Sequence, residues 1–428
     1  MNKAPKWLGY GYMTLFAVLP WSVEAGFGAW SLSLPGEPLI AVLGIGLIYV
    51  LWQNPGLVLR TFSSNIFLYI SFSYLVWMAL SACFSSLPIV SWKFWLVETA
   101  HWWVFAVGIS MCPDLWRKAL PWFVISVGGV AIYTLLHHGF YHFRTDQALL
   151  APMPFFPDHT MWAAVLSMVL FLGGMAFKPL GEAPETELNT ALPNGQKAFS
   201  PKLTKAIMPL LLLALIFSTC RAAWISVFLA LAVWGFYFLG NKGRLVFLGL
   251  VVSAGCLLGA AMFQKLGQDV SAQERLNRWN CAIRMSQERP SLGFGPGTFQ
   301  FQYIDFQKPD EMTRISMLAP VVTRGPDTYG RGGGAHSEYL RVLAETGWPG
   351  LLLWLSLAIS AMVAGSVPAT LVAGKPKTNR LPSPSIYLIL ALLTFFAHST
   401  VNDFLHDGRI SALFWGCLAM IFAAKKED

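Results

Sequence analysis

The sequence predicts an all-α, polytopic membrane protein of about twelve transmembrane helices with one large outer loop that contains short helices. Three observations carry this. Hydrophobic residues make up 55% of the chain and charged residues only 12%, where a soluble domain of this length intersperses charge throughout. The apolar blocks are long, approaching the roughly 20 residues that cross a bilayer. They are also continuous rather than alternating, which argues against a transmembrane barrel.

Taken in order, the apolar segments fall at 8–22, 38–53, 64–82, 94–111, 119–136, 160–177, 206–219, 222–239, 245–263, 340–363, 384–402 and 409–424. The first lacks a small-residue cleavage site and reads as a retained helix. The connections alternate in charge. One side carries Lys3 and Lys6, Arg60, Arg117 and Lys118, the Lys178–Lys205 loop, Lys242 and Arg244, Lys375 to Arg380, and Lys425 and Lys426. The short loops of the other side hold only Lys93, Arg144, Arg221 and Arg409. The positive-inside rule then puts both termini in the cytoplasm. It also fixes the helix count. Merging 206–239 into one span would move Lys242, Arg244, Lys375, Lys377 and Arg380 outside, so Ser218–Ala222 reads as a tight outer turn with Arg221 at its tip. The net charge of +8 is absorbed by these inner loops, and no basic stripe with interleaved aromatics points to nucleic acid. The Lys178–Lys205 loop reads as a solvated linker. No internal repeat supports an inverted-repeat transporter. The six cysteines show no metal spacing, and sequence fixes no pairing, so a Cys220–Cys281 bridge is the less expected state. The chain thus divides into residues 1–263 with helices one to nine, an outer loop region at 264–337, and residues 338–428 with helices ten to twelve.

The outer region carries most of the polar sequence. Gln273–Glu288 reads as an amphipathic helix with Leu276, Trp279, Ile283 and Met285 on its apolar side, ended by Pro290. Ser291–Phe299 is a glycine-punctuated turn. Its glycines at 293, 295 and 297 lack the βαβ context and the Gly-Lys-Ser/Thr of a nucleotide loop. Tyr303–Gly334 has the composition of a lid, and the Gly330–Gly334 run reads as a hinge. His336 follows at the seam where this loop enters helix ten. Helical spacing would place it on one face with Leu340, Leu343 and Gly347.

Several side chains there suit chemistry. Imidazole is matched to proton transfer near neutral pH, which makes His336 the candidate catalytic group. Arg221, at a helix end on the outer side, is either a snorkelling anchor or a fixed cation for phosphate. Arg275, Arg278 and Arg284 lie on the outer helix, and Arg275 and Arg278 are spaced to face one way. Glu345 falls roughly opposite His336, with Glu338 and Arg341 nearer. Asp158 reads as a helix cap beside His159. His398, Asp403, His406 and Asp407 surround the last outer turn without compact metal spacing. Glu98 and His101, one turn apart, are expected to satisfy each other inside the bundle.

Three runs together resemble the O-antigen ligase family, whose membrane domain is shared with O-antigen polymerases and O-oligosaccharyltransferases. They are Ser-Thr-Cys-Arg-Ala-Ala at 218–223, Glu-Arg-Leu-Asn-Arg-Trp at 274–279 followed by Arg-Pro-Ser-Leu-Gly-Phe-Gly-Pro-Gly-Thr-Phe at 289–299, and His-Ser-Glu-Tyr-Leu-Arg-Val-Leu-Ala-Glu-Thr-Gly-Trp-Pro-Gly at 336–350. The last run has Ser337 where the family often has Asn. The resemblance implies transfer of a polysaccharide from undecaprenyl diphosphate to a sugar hydroxyl of lipid A–core, on the periplasmic face of a Gram-negative inner membrane, with no metal, ATP or other cofactor. It implies His336 as the general base or acceptor-positioning group and Arg221 with Arg275 as diphosphate ligands, Arg278 being the alternative on the outer helix. A polymerase or a protein O-oligosaccharyltransferase of the same fold stays open, and so, more distantly, does a transporter of lipid-linked oligosaccharide. The short tail after the last helix favours the ligase over protein transfer.

Overall fold

The computed structural model describes residues 5–27, 30–63, 65–176, 201–238, 270–314, 316, 333–366 and 384–424 of the chain. In these residues the helices are α1 (Lys6–Val18), α2 (Gly36–Gln53), α3 (Pro55–Ser63), α4 (Ile66–Cys83), α5 (Pro88–His101) and α6 (Gly108–Met111), the last two joined through a wide turn at Trp102–Val107. There follow α7 (Pro113–Phe140), α8 (His159–Ala176), α9 (Pro201–Phe217), α10 (Arg221–Phe238), α11 (Val270–Glu288), α12 (Phe299–Gln302), α13 (Glu338–Ser366), α14 (Pro384–His398) and α15 (Gly408–Ala424).

Every apolar segment read from the sequence falls on a helix, except 245–263, which lies outside the described residues. Among the described residues, five helices are long and apolar enough to cross a membrane: Gly36–Gln53, Ile66–Cys83, Pro113–Phe140, His159–Ala176 and Glu338–Ala364. Shorter apolar helices at 206–217, 221–235, 385–398 and 408–423 accompany them. The chain is therefore a mainly helical membrane protein. The Lys178–Lys205 linker lies outside the described residues except for its end, which forms the first turn of α9.

One short hairpin interrupts the all-α reading: β1 (Val23–Phe27) pairs antiparallel with β2 (Trp30–Leu34), Val23 opposite Leu34. Its second strand, Trp-Ser-Leu-Ser-Leu, alternates apolar and polar as a half-exposed strand should.

The bundle is apolar on its outer surface as well as in its core. Ile45 is 68% and Trp52 76% exposed on α2, a cost in water that lipid removes. At the centre α14 packs on α8, α10 and α15, with Trp162, Phe395, Trp415 and Leu418 buried between helices. Polar groups gather inside as well: Glu98, Glu338, Arg341 and Glu345 are all buried. Such groups are expensive in a membrane and persist where they satisfy one another.

α13 is not one continuous rod. Gly347 sits at φ 71° and breaks it, two residues before Pro349. The glycine-rich turn docks into the break: the Trp348 N–H donates to the Pro290 carbonyl at 2.9 Å, and a Cβ on Gly347 would collide with the Ser291 carbonyl. The N–H groups of Phe294 and Gly295 donate to the carbonyls of Ala344 and Glu345 at 3.1 and 2.9 Å. Gly293, at φ 66°, has no room for a side chain against the Glu345 backbone. The turn is thus a docking surface for α13, which is why it needs glycine.

Candidate active site

α11 lies against the first turns of α13, but with a face other than the one Leu276 and Ile283 suggest. Glu274, Asn277, Arg278, Cys281, Ala282, Met285 and Ser286 are buried, whereas Leu276 is 48% and Ile283 42% exposed. The helix turns Glu274, Asn277 and Arg278 inward beside the apolar Cys281, Ala282 and Met285, and of the expected apolar side only Met285 is fully buried. Periodicity tells which residues share a face; at a membrane rim the apolar face need not be the inner one.

This orientation buries Arg278. Its Nε donates to Glu274 Oε1 at 3.0 Å and its Nη1 to the Gly334 carbonyl at 2.8 Å, with the guanidinium lying 4.8 Å from the Tyr303 ring centre. Glu274 Oε2 also accepts from the hydroxyls of Thr313, at 2.5 Å, and Ser316. Burial opposes ionisation of Glu274, but these hydroxyl and guanidinium bonds outweigh it and lower its pKa. One residue on, the Trp279 indole N–H donates to the His336 carbonyl at 3.1 Å. Arg278 and Trp279 therefore grip the backbone on which His336 stands.

His336 itself lies just before α13, at φ 51°, and not on the helical face with Leu340, Leu343 and Gly347 that spacing suggested. Ser337 intervenes as the N-cap, its Oγ accepting from the Leu340 N–H at 3.5 Å. Ser and Asn both cap well, which accounts for Ser at this position. On the other side of the turn, Asp403 accepts the N–H of Ala335 on Oδ2 at 3.1 Å and that of His336 on Oδ1 at 3.0 Å. Gly333 and Gly334 make room for this approach, while Gly330 and Gly332 of the expected hinge lie outside the described residues. A Cβ on Gly334 would overlap the Asp403 carboxylate, and one on Gly333 would lie 2.7 Å from Arg278 Nη1. Residues 317–332, the bulk of the expected lid, lie outside the described residues.

The electrostatics follow from this enclosure. Burial lowers the His336 pKa to about 4, and Arg278 and Arg275 push it the same way, with Asp158 and Glu274 opposing. The imidazole is accordingly neutral at pH 7, the form that accepts a proton. Burial and Glu338 raise Asp403 to about 7, against the pull of Arg341.

Arg275 is half-buried and donates to Ser271 Oγ at 3.2 Å. Its charge acts on His336 and on Cys220. Cys220 lies in the turn between α9 and α10, where Thr219 has φ 55° and Cys220 Sγ sits 3.5 Å from His398 Nε2. Arg221 is the next residue, exposed, at the first position of α10. It starts a helix rather than ending one. There the helix's unpaired N–H groups and the guanidinium both favour an anion. The structure thus brings Arg275, Arg278 and His336 together and puts the Arg221 turn on the Arg275 side. It sends Arg284 elsewhere, to Glu311 at 2.6 Å and the Phe306 carbonyl at 2.8 Å.

Beneath the site, Arg341 pairs with Glu338 and, at 2.9 Å, with Glu345. Glu338 Oε2 accepts from the N–H of Phe404 and Leu405 at 3.1 and 3.3 Å, and Glu345 Oε1 from that of Phe299 at 3.1 Å. This triad ties the 399–407 loop and the glycine-rich turn to α13. Glu98 and His101 do not bond each other as expected. Glu98 lies near Arg341, and His101 near Asp407. Asp158 caps α8 through the Thr160 N–H at 2.6 Å and pairs with His159 at 3.0 Å. Asp407 is taken by Arg409. Cys220 and Cys281 are both free thiols, Cys281 facing Asn277 Oδ1 at 3.7 Å, so no bridge joins them. Among the described residues no three His, Cys, Asp or Glu side chains are arranged around a metal position.

A mainly helical membrane protein with a neutral histidine and clustered arginines at the end of its bundle is the class these features define. Residues 206–355 match the family model described as O-antigen ligase. Arg221, Arg275, Arg278 and His336 fall inside the matched stretch, and Asp403 outside it. No curated protein matches the chain. The match supports an activity of the ligase or polymerase type on lipid-linked polysaccharide.

Proposed function

We propose that the protein transfers O-antigen polysaccharide from undecaprenyl diphosphate to a sugar hydroxyl of lipid A–core, at the periplasmic face of the inner membrane and without metal or ATP. The observation that carries this is a neutral His336 beside Arg275 and Arg278 within the family-matched stretch. His336 takes the proton of the acceptor hydroxyl as its oxygen bonds to the anomeric carbon. The bond from that carbon to the diphosphate oxygen breaks with its electron pair, and undecaprenyl diphosphate leaves. A single displacement of this kind inverts the anomeric centre. The arginines stabilise the charge that develops on the leaving group. Arg278 is already committed to Glu274 and the Gly334 carbonyl, which favours Arg275, with Arg221, as the diphosphate ligand and leaves Arg278 to brace the loop.

The test is transfer by purified protein from undecaprenyl-diphosphate glycan to lipid A–core in EDTA. Wild type is expected to form glycosylated lipid A–core, and folded His336→Ala and Arg221→Ala variants to lose it. A lengthened donor glycan would instead make the protein a polymerase. Passage of labelled lipid-linked sugar across a liposome without either product would replace the enzyme reading with a transporter.

A further inference from the structure

We propose that Asp403 is a positioning residue for His336: its carboxylate takes two successive backbone N–H groups and fixes the turn from which the imidazole projects. As a statement about catalysis this rests on the transfer reading above. The left-handed backbone of His336 is uncommon for a residue with a side chain and persists where its surroundings over-determine it. Here they do so from two sides. Trp279 and Arg278 hold the carbonyls of His336 and Gly334, and Asp403 holds the N–H groups of Ala335 and His336 at 3.1 and 3.0 Å. The approach of the carboxylate depends on Gly334 lacking a Cβ.

Asp403 is itself anchored. Glu338, the first residue of α13, donates its N–H to the carbonyls of Ser399 and Asn402 at 2.9 and 3.1 Å, and its carboxylate receives the two N–H groups that follow Asp403. The histidine turn and the 399–407 loop thus hold each other reciprocally. The charged groups facing Asp403 are Glu338, Arg341 and Glu345 of α13. Burial, with Glu338 and Glu345 and against Arg341, raises Asp403 to about 7, while burial lowers His336 to about 4. The clamp therefore titrates near neutrality and the base it holds does not. Ionised, Asp403 offers a full acceptor to each N–H; protonated, it offers one good acceptor and weakens the turn.

The experiment compares wild type with Asp403→Asn, which mimics the neutral acid in size and shape. Wild-type kcat should fall as pH drops through about 7. In Asp403→Asn, kcat at pH 8 should be lower by about tenfold to a hundredfold, as loss of one charge-assisted bond implies, with KM for the donor nearly unchanged. Its remaining rate should be flat across pH 7 and fall only near 4, where His336 protonates. Amide hydrogen exchange in detergent supplies a readout independent of activity: protection at Ala335 and His336 should drop in Asp403→Asn while the helices keep theirs. Unchanged exchange there overturns the proposal, as does an acid limb near 7 that survives the substitution. Loss of protection spread over the whole chain would also overturn it, by showing a general structural role. If wild type transfers no glycan, the ligase reading fails, and exchange at these two amides still decides whether Asp403 holds the turn.

Discussion

Arg278→Ala and Arg275→Ala are expected to fail in different ways, because the Arg278 guanidinium is enclosed in protein contacts whereas Arg275 is the one proposed to hold the leaving diphosphate. Arg278 is 6% and Glu274 3% exposed. Removing one partner of a buried pair costs about 3–5 kcal/mol. Glu274 keeps Thr313 and Ser316 after the change, which points to the lower end. Loss of the Arg278 bond to the Gly334 carbonyl adds about 1.5 kcal/mol, as for a hydrogen bond to a charged group. The total is about 4.5 kcal/mol. At about 2 °C per kcal/mol, the lower conversion for domains of some 200 residues, the expected fall in Tm is roughly 9 °C. Adding Glu274→Gln should recover part of it, since the two residues share one interaction. Arg275 is half-buried, and Arg275→Ala should cost less stability than Arg278→Ala. Its effect belongs in transfer, where loss of one donor to a leaving diphosphate lowers kcat by about a hundredfold. Thermal unfolding in detergent and transfer kinetics, run on both variants, separate the roles. An Arg278→Ala protein that melts with wild type, beside an Arg275→Ala protein that melts far below it, would refute the assignment and exchange the two.

Three further outcomes follow from the same geometry. Gly347→Ala places a Cβ against the Ser291 carbonyl at φ 71°; backbone strain and overpacking together should cost about 2–4 kcal/mol, read as a lower Tm. Ser337→Ala should cost about 1 kcal/mol by removing the cap of α13, whereas Ser337→Asn should stay within a few tenths. For pH dependence, the lowered His336 pKa contributes stability that is present above about 6.5 and lost as pH falls through 4. The raised Asp403 pKa acts oppositely, contributing stability present below about 3.8 and lost as pH rises through 7. The two slopes partly cancel in wild type. His336→Gln removes the first, so its Tm should rise relative to wild type between pH 7.5 and 4.5; a parallel shift at both pH values would contradict these pKa directions.

Much of the helical framework was legible because apolar runs report burial in lipid or protein directly. The hairpin was legible too, in the alternation of Trp30 to Leu34, but a reading by composition passes over a five-residue signal. The start of α13 was encoded locally by Ser337 ahead of the first apolar turn, and attending to the cap would have set His336 outside the helix. The orientation of α11 was not local. Glu274, Asn277, Arg278 and Cys281 recur at helical spacing as regularly as Leu276, Trp279 and Ile283 do. Which stripe faces inward depends on what lies beneath, and that is the backbone of the histidine turn.

Asp403 marks the further limit of sequence reasoning, and it also explains why the site takes the form it does. It meets His336 across 67 positions of chain, a contact with no local signal, whereas Asp407 pairs with Arg409 two residues on. A histidine on a helix would have its direction set by the helix. A histidine on a short turn has its direction set by whatever holds the turn, here α11 from one side and the 399–407 loop from the other. α13 joins both grips, through Glu338 to the loop and through Glu345 to the glycine-rich turn that follows α11. Arg341 stands between those two carboxylates. The buried ion triad, costly as it is to place inside a membrane protein, thus mechanically couples the three segments that must stay in register for a single imidazole to keep its aim.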